Sequence, residues 1–101
     1  MTFSEKIYSE LRKVPSGKIT TYKSLAEKIG SKAYQAVGQA MRNNLFAPEV
    51  PCHRVVKSDG KVGGFMGNEK GREITRKIKL LASEGVIVKD GKIENFLEIL
   101  V

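Results

Sequence analysis

A chain of 101 residues with 41% hydrophobic content has room for one compact domain and hardly two, and it is too apolar for wholesale disorder. Its apolar runs are far too short to span a membrane, and its single cysteine excludes an intramolecular disulfide and suits a reducing cytosol, or a nucleus in a eukaryote. The formal net charge of +7 favours a polyanionic partner, most simply nucleic acid, with a basic surface that only aids solubility as the plainer reading.

The opening Met1-Thr2-Phe3-Ser4-Glu5-Lys6 lacks the basic start and apolar stretch of a secretory signal. Phe3, Ile7, Leu11 and Val14 recur at helical spacing and predict a first helix over about 3–13. Pro15-Ser16-Gly17 stops it, and Lys18-Ile19-Thr20 reads as a short extended piece. Thr21 can cap a second helix that buries Leu25, Ala26 and Ile29 and ends at Gly30. Ser31 then caps a third helix over roughly 32–43. Two short helices joined by a tight glycine-containing turn form a helix-turn-helix pattern.

The third helix is slim, with Ala33, Ala36, Gly38 and Ala40, and Gly38 costs it stability. Two accounts stand side by side: close packing against a neighbouring helix, or close approach of its backbone to a ligand such as a nucleic-acid groove, with Arg42 available for phosphate.

Asn43-Asn44 ends that helix, and a loop through Pro48 leads to Pro51-Cys52-His53-Arg54-Val55-Val56, read as a short strand over 52–56. This stretch holds the only cysteine and the only histidine. The cysteine is a small buried hydrophobe on one reading and a nucleophile on the other, because the thiolate is the reactive form and the imidazole and guanidinium that follow favour it. In a strand, neighbours point to opposite faces, so a turn or a bridging water is needed to couple Cys52 to His53. With one Cys and one His there is no zinc cluster, and no spacing points to another metal site.

Ser58-Asp59-Gly60 signals a turn, and Val62-Gly63-Gly64-Phe65-Met66-Gly67 is a connector or a pocket wall without the lysine of a phosphate-binding loop. A last long helix is predicted over 69–84, with Ile74, Ile78, Leu81 and Ala82 as its apolar face and Gly85 as its cap. Residues 86–93 read as a small hairpin, and Phe96, Leu97, Ile99 and Leu100 as a tail packed on the core. The elements amount to a mainly α fold with a few short strands, in one domain over 1–101.

Several separated motifs, in order, resemble the DNA-binding and catalytic domain of the O6-alkylguanine-DNA alkyltransferases over about 3–85, with 86–101 as hairpin and tail. Gly17-Lys18-Ile19-Thr20-Thr21-Tyr22 and Leu25-Ala26 are similar to the family's entry into its helix-turn-helix. Ala36-Val37-Gly38, Ala40-Met41-Arg42 and Asn44 resemble its recognition helix and hinge asparagine. Pro51-Cys52-His53-Arg54-Val55-Val56 resembles its active-site motif, Gly60, Val62-Gly63-Gly64 and Phe65 follow, and Leu80-Leu81-Ala82-Ser83-Glu84-Gly85 resembles its closing motif.

The resemblance implies a winged helix-turn-helix-like catalytic domain that works as a monomer, without metal or cofactor, on duplex DNA entered through the minor groove. An O6-alkylguanine is rotated out of the stack, since a stacked base hides its alkyl group from a side chain. Cys52 then takes the alkyl group and is spent, His53 accepts the thiol proton, and Glu84 orients the imidazole. Asn44 links recognition helix to active-site segment, and Tyr22 serves the guanine or the flipped phosphate. Tyr22, Tyr34, Gln35, Ala36, Gly38 and Arg42 face DNA, while Val62, Gly63, Phe65 and Met66 line the base pocket.

Two departures stand out. Gln35 occupies the position of the family's usual intruding arginine, and Phe65-Met66 stands where Tyr-Ser is common. They keep open a second implied reading, a non-enzymatic alkyltransferase-like protein that binds the lesion and flags it for excision repair. Such proteins generally replace the cysteine, so Cys52 favours the enzyme. A plain winged-helix regulator explains the charge but leaves Cys52, His53 and Glu84 without a purpose.

Overall fold

The computed structural model describes residues 1–47, 49–64 and 71–101. Among the described residues, five α-helices and two small two-stranded sheets are built in chain order. Helix α1 (Phe3–Leu11) starts at Thr2, whose hydroxyl takes the Glu5 N–H while the Glu5 carboxylate takes the Thr2 N–H, a reciprocal box that satisfies two of the free donors at a helix start. Strand β1 (Thr20–Thr21) runs directly into α2 (Tyr22–Lys28), with the Thr21 hydroxyl accepting the Ser24 N–H as the sequence predicts.

Helix α3 (Tyr34–Arg42) starts later than its sequence suggests. Ser31 does accept a backbone N–H, from Ala33, but this closes a local turn, and α3 begins at Tyr34 without a side-chain cap. The segment read as a strand over 52–56 is a 3₁₀ turn, Cys52–Arg54, followed by a two-residue strand β2 (Val55–Val56). The Arg54 N–H reaches back to the Pro51 carbonyl, which closes the turn before extended structure begins.

Helix α4 (Arg72–Ser83) follows Gly71, at φ +85°, and residues 69–70 of the predicted helix lie outside the described residues. Its buried face differs from expectation at two positions. Ala82 is exposed, and Lys77 is fully buried. Strands β3 (Val88–Lys89) and β4 (Lys92–Ile93) form the expected hairpin, turning through Asp90 and Gly91, both at positive φ. The short α5 (Phe96–Ile99) packs Phe96 and Ile99 inward but leaves Leu97 in solvent.

Two apolar clusters meet at β2. Val55 belongs to the first, with Ile7, Leu11, Leu25, Val37 and Val50, and Val56 to the second, with Ile19, Leu81, Val86 and Ile93. Successive strand residues point to opposite faces, so this two-residue strand joins the helix-turn-helix half to the α4 half. Parallel pairing of β1 with β2, Thr20 to Val55 and Thr21 to Val56, fixes the start of α2 beside the end of the cysteine turn.

Candidate active site

Cys52 and His53 are both nearly inaccessible, at 4% and 3% exposure. In a 3₁₀ turn successive side chains diverge by about 120° instead of the 180° of a strand. Cys52 therefore enters the first apolar cluster while His53 and Arg54 reach toward the end of α4. Among the described residues no hydrogen bond joins Cys52 directly to His53.

The carboxylate of Glu84, the residue that closes α4, gathers both. The His53 Nε2 lies 2.9 Å from Oε2. Arg54 donates from Nε to Oε1 at 2.9 Å and from Nη2 to Oε2 at 2.6 Å, and its Nη1 donates to the Val14 carbonyl at 2.8 Å. Burial pushes the Glu84 carboxyl up, but the hydrogen bonds from Arg54 and His53 outweigh it and hold it below its usual range. Burial dominates at His53 and lowers its pKa below 6.5, with Glu84 pulling only partly the other way. The pair is thus a carboxylate and a neutral imidazole at neutral pH. An ionised carboxylate only accepts, so Nε2 carries the hydrogen and Nδ1 keeps a lone pair that can take a proton.

Burial also raises the Cys52 thiol, and the neighbouring Asn44 amide and the charge of Lys77 partly offset that. The cation that acts on the cysteine is therefore Lys77, from α4, and not Arg54, which the sequence places next to it. Arg54 spends its guanidinium on Glu84 and Val14. Lys77 has no exposed surface and donates to three carbonyls, Val55 at 2.7 Å, Val62 at 2.6 Å and Gly64 at 2.9 Å. Sequence reasoning missed it because a lysine on a helix is normally solvated. The one available signal was its place between Ile74, Ile78 and Leu81 on the apolar side.

Asn44, 3% exposed, donates from Nδ2 to the Val50 carbonyl at 2.9 Å and accepts the Phe46 N–H at 2.9 Å. It thereby ties the end of α3 to the residues leading into Cys52. Tyr22, at the start of α2, places its hydroxyl 3.4 Å from the Gly64 carbonyl. Gly63 holds φ +73°, a backbone angle that strains any residue with a Cβ, and it lies in contact range of Lys57 and the Tyr22 ring. Val62 is buried beside it. Phe65 and Met66, the other expected pocket residues, lie outside the described residues.

Tyr22 and Tyr34 share a groove of about 460 Å³ with Lys23, Lys57, Ser58 and Asp59, four residues not anticipated from the sequence. On α3, Val37, Ala40 and Met41 face the core. Tyr34, Gln35 and Arg42 are exposed and Ala36 and Gly38 half-buried. Residues 34, 38 and 42 recur every four positions and share one face. Among the described residues, nothing outside the backbone of α3 itself lies within 4 Å of a Cβ built on Gly38, so close packing against them does not account for this glycine. Among the described residues no group of three or more His, Cys, Asp or Glu is placed to hold a metal ion, and no helix is long and apolar enough to cross a membrane.

Residues 2–86 match the family described as 6-O-methylguanine DNA methyltransferase, DNA binding domain. The chain is 41% identical over 88 residues to a methylated-DNA–protein-cysteine methyltransferase of Metallosphaera sedula, covering 87% of this chain and 52% of that protein. It spans about half or less of the length of this and other such relatives, including one from Candida glabrata matched over 42% of its length. Its fold is similar to that of S. pombe Atl1 in complex with DNA containing O6-carboxymethylguanine, with a TM-score of 0.83 and 29% identity over 98% of this chain and 94% of that one. It is also similar to Mycobacterium tuberculosis OGT in complex with DNA, with a TM-score of 0.73 and 36% identity over 83% of this chain and 50% of that one.

Proposed function

The chain belongs to the 6-O-methylguanine DNA methyltransferase family through its DNA-binding domain, and from that membership we propose that it removes alkyl groups from O6-alkylguanine in duplex DNA by transferring them to Cys52. The observation that carries the reading is a buried cysteine followed by a neutral imidazole held 2.9 Å from an ionised carboxylate.

The slim face of α3, with Tyr34, Gln35, Ala36, Gly38 and Arg42, enters the minor groove, and the damaged guanine leaves the stack for the space beside Tyr22, Val62 and Gly63. The Cys52 proton passes to His53 Nδ1 through a water, since the two side chains make no direct hydrogen bond. Glu84 stabilises the imidazolium that forms. The thiolate attacks the alkyl carbon, an S–C bond forms, the C–O6 bond breaks, and its electron pair leaves with the guanine. Tyr22 supplies the proton that neutralises the departing base. The thioether is permanent, so each molecule acts once. Asn44 keeps the groove-binding helix in register with Cys52 through its bond to Val50.

Intact-protein mass after mixing with a duplex carrying one O6-methylguanine tests this. The expected result is a gain of one methyl group, absent in Cys52→Ser. No gain, with tight lesion-selective binding retained, overturns transfer. It would support the second reading, a lesion-binding protein without transfer, which the match to S. pombe Atl1 along nearly the whole of both chains and the uncharged Gln35 favour.

A further inference from the structure

One buried charge is left over by the transfer reaction as described. Lys77 lies in the middle of α4, fully enclosed, with its ammonium 2.6–2.9 Å from the carbonyls of Val55, Val62 and Gly64. These acceptors come from the two sides of the turn over 57–61, which the Lys57 N–H closes on the Lys61 carbonyl: β2, immediately after the cysteine turn, and the 62–64 segment that approaches Tyr22. An ammonium has three N–H groups and here each has an acceptor, whereas a neutral amine would leave one carbonyl unpaired. The site is thus built for the charged form, although enclosure alone is unfavourable to it.

We propose that Lys77 is a positioning residue for alkyl transfer: its ammonium clamps the 62–64 segment against β2 and supplies positive charge that favours the Cys52 thiolate. Methionine at this position would fill the helix face equally well, so packing alone does not call for a lysine. The clamp sits where the two needs coincide. Val55 is three residues past Cys52, and Gly64 also lies 3.4 Å from the Tyr22 hydroxyl. One cation therefore fixes both the nucleophile's segment and one wall of the proposed base site.

The other groups around Cys52 do not replace it. From α1, Tyr8 is neutral at physiological pH and donates its hydroxyl hydrogen to the Ala40 carbonyl. After α3, Asn44 contributes only an amide dipole. Within the cysteine turn and at the end of α4, His53 is neutral and Arg54 is matched by Glu84. Burial opposes the Lys77 charge and Cys52 supports it, the reciprocal of the pull Lys77 exerts on the thiol.

This rests on Cys52 being the nucleophile, but the test uses no DNA and so stands apart from the transfer assay. The rate of Cys52 alkylation by iodoacetamide is measured against pH in the full chain, in Lys77→Gln and in Lys77→Arg, with folding checked by circular dichroism. The expected result is a midpoint raised by about one pH unit in Lys77→Gln, hence roughly tenfold slower alkylation near neutrality. Lys77→Arg is expected to stay close to the parent midpoint. An unchanged midpoint in folded Lys77→Gln overturns the proposal. If Lys77→Gln does not fold, the decision passes to the reciprocal titration in Cys52→Ser. There the Lys77 side-chain NMR signal is expected to titrate at lower pH than in the parent protein, and an identical midpoint overturns the coupling.

Discussion

Two regions carry the proposed reaction, and they are built in opposite ways. Around Cys52 the polar side chains of the proposed site are committed: Asn44 to Val50 and Phe46, His53 and Arg54 to Glu84, Lys77 to three carbonyls. The outer face of α3 is bare. It lacks a side-chain cap, it holds a glycine with open space beside it, and Tyr34, Gln35 and Arg42 stand in solvent. Groups that must hold a proton-transfer geometry are fixed within the chain, because buried polar groups without partners are costly. The surface proposed to fit an outside groove is slim, and Gly38 costs helix stability there.

The largest expected effect breaks the first region at its centre. Cys52→Ser abolishes methyl transfer and leaves lesion binding intact, read by intact mass and by DNA titration. Glu84→Ala comes next. It strands Arg54 and frees the imidazole, so single-turnover transfer is expected to fall about 100-fold, with a loss of about 3 kcal/mol in unfolding free energy. Chemical denaturation and a rapid-quench transfer assay separate the two losses.

Acidity is expected to dissolve the same region. The folded Glu84 carboxyl sits below its usual 4.5, so its contribution is present above that pH and is lost as pH falls through the lowered value. His53, held neutral below its usual 6.5, adds stability that is likewise present above that pH and lost on acidification, because the unfolded imidazole binds the proton more readily. Denaturation midpoints should therefore decline from neutral toward acidic pH, and less steeply in Glu84→Gln. Transfer should speed up as pH rises above neutrality, because burial keeps the Cys52 thiol protonated there.

Effects on the α3 face should run the other way. Gly38→Ala meets no neighbour within 4 Å and is expected to stabilise the protein, by about 0.5–1 kcal/mol in thermal or chemical unfolding. Gly38→Leu should likewise fold, while weakening DNA binding by about tenfold if the groove admits only a slim helix. A Gly38→Leu protein with undiminished affinity would remove α3 from the interface. The smallest expected effect is a few-fold faster transfer in Gln35→Arg, which adds a charged side chain at the entry to the stack. Equal rates would make position 35 irrelevant to flipping.

Periodicity and capping chemistry made most of the helices legible, because those signals are local. Thr21 as a cap, the glycine-linked helix pair and the hairpin over 86–93 are all present in the fold. Where a choice depended on distant partners, local signals misled. The run 52–56 has the β-branched look of a strand, yet its first three residues turn, because Arg54 and His53 are drawn to Glu84, thirty residues away and more. Ala82 fits a helical stripe but falls beyond the buried edge of α4.

By itself, then, the sequence determined the order of the helices and the hairpin, the adjacency of one cysteine and one histidine, and the acid that closes α4. Only the tertiary structure decided which cation bears on the cysteine thiol. Adjacency favours Arg54, but a side chain's charge acts where its backbone aims it. The turn aims Arg54 at Glu84, while the pitch of α4 carries Lys77 inward to carbonyls that exist as a set only once β2 and the 62–64 segment have come together.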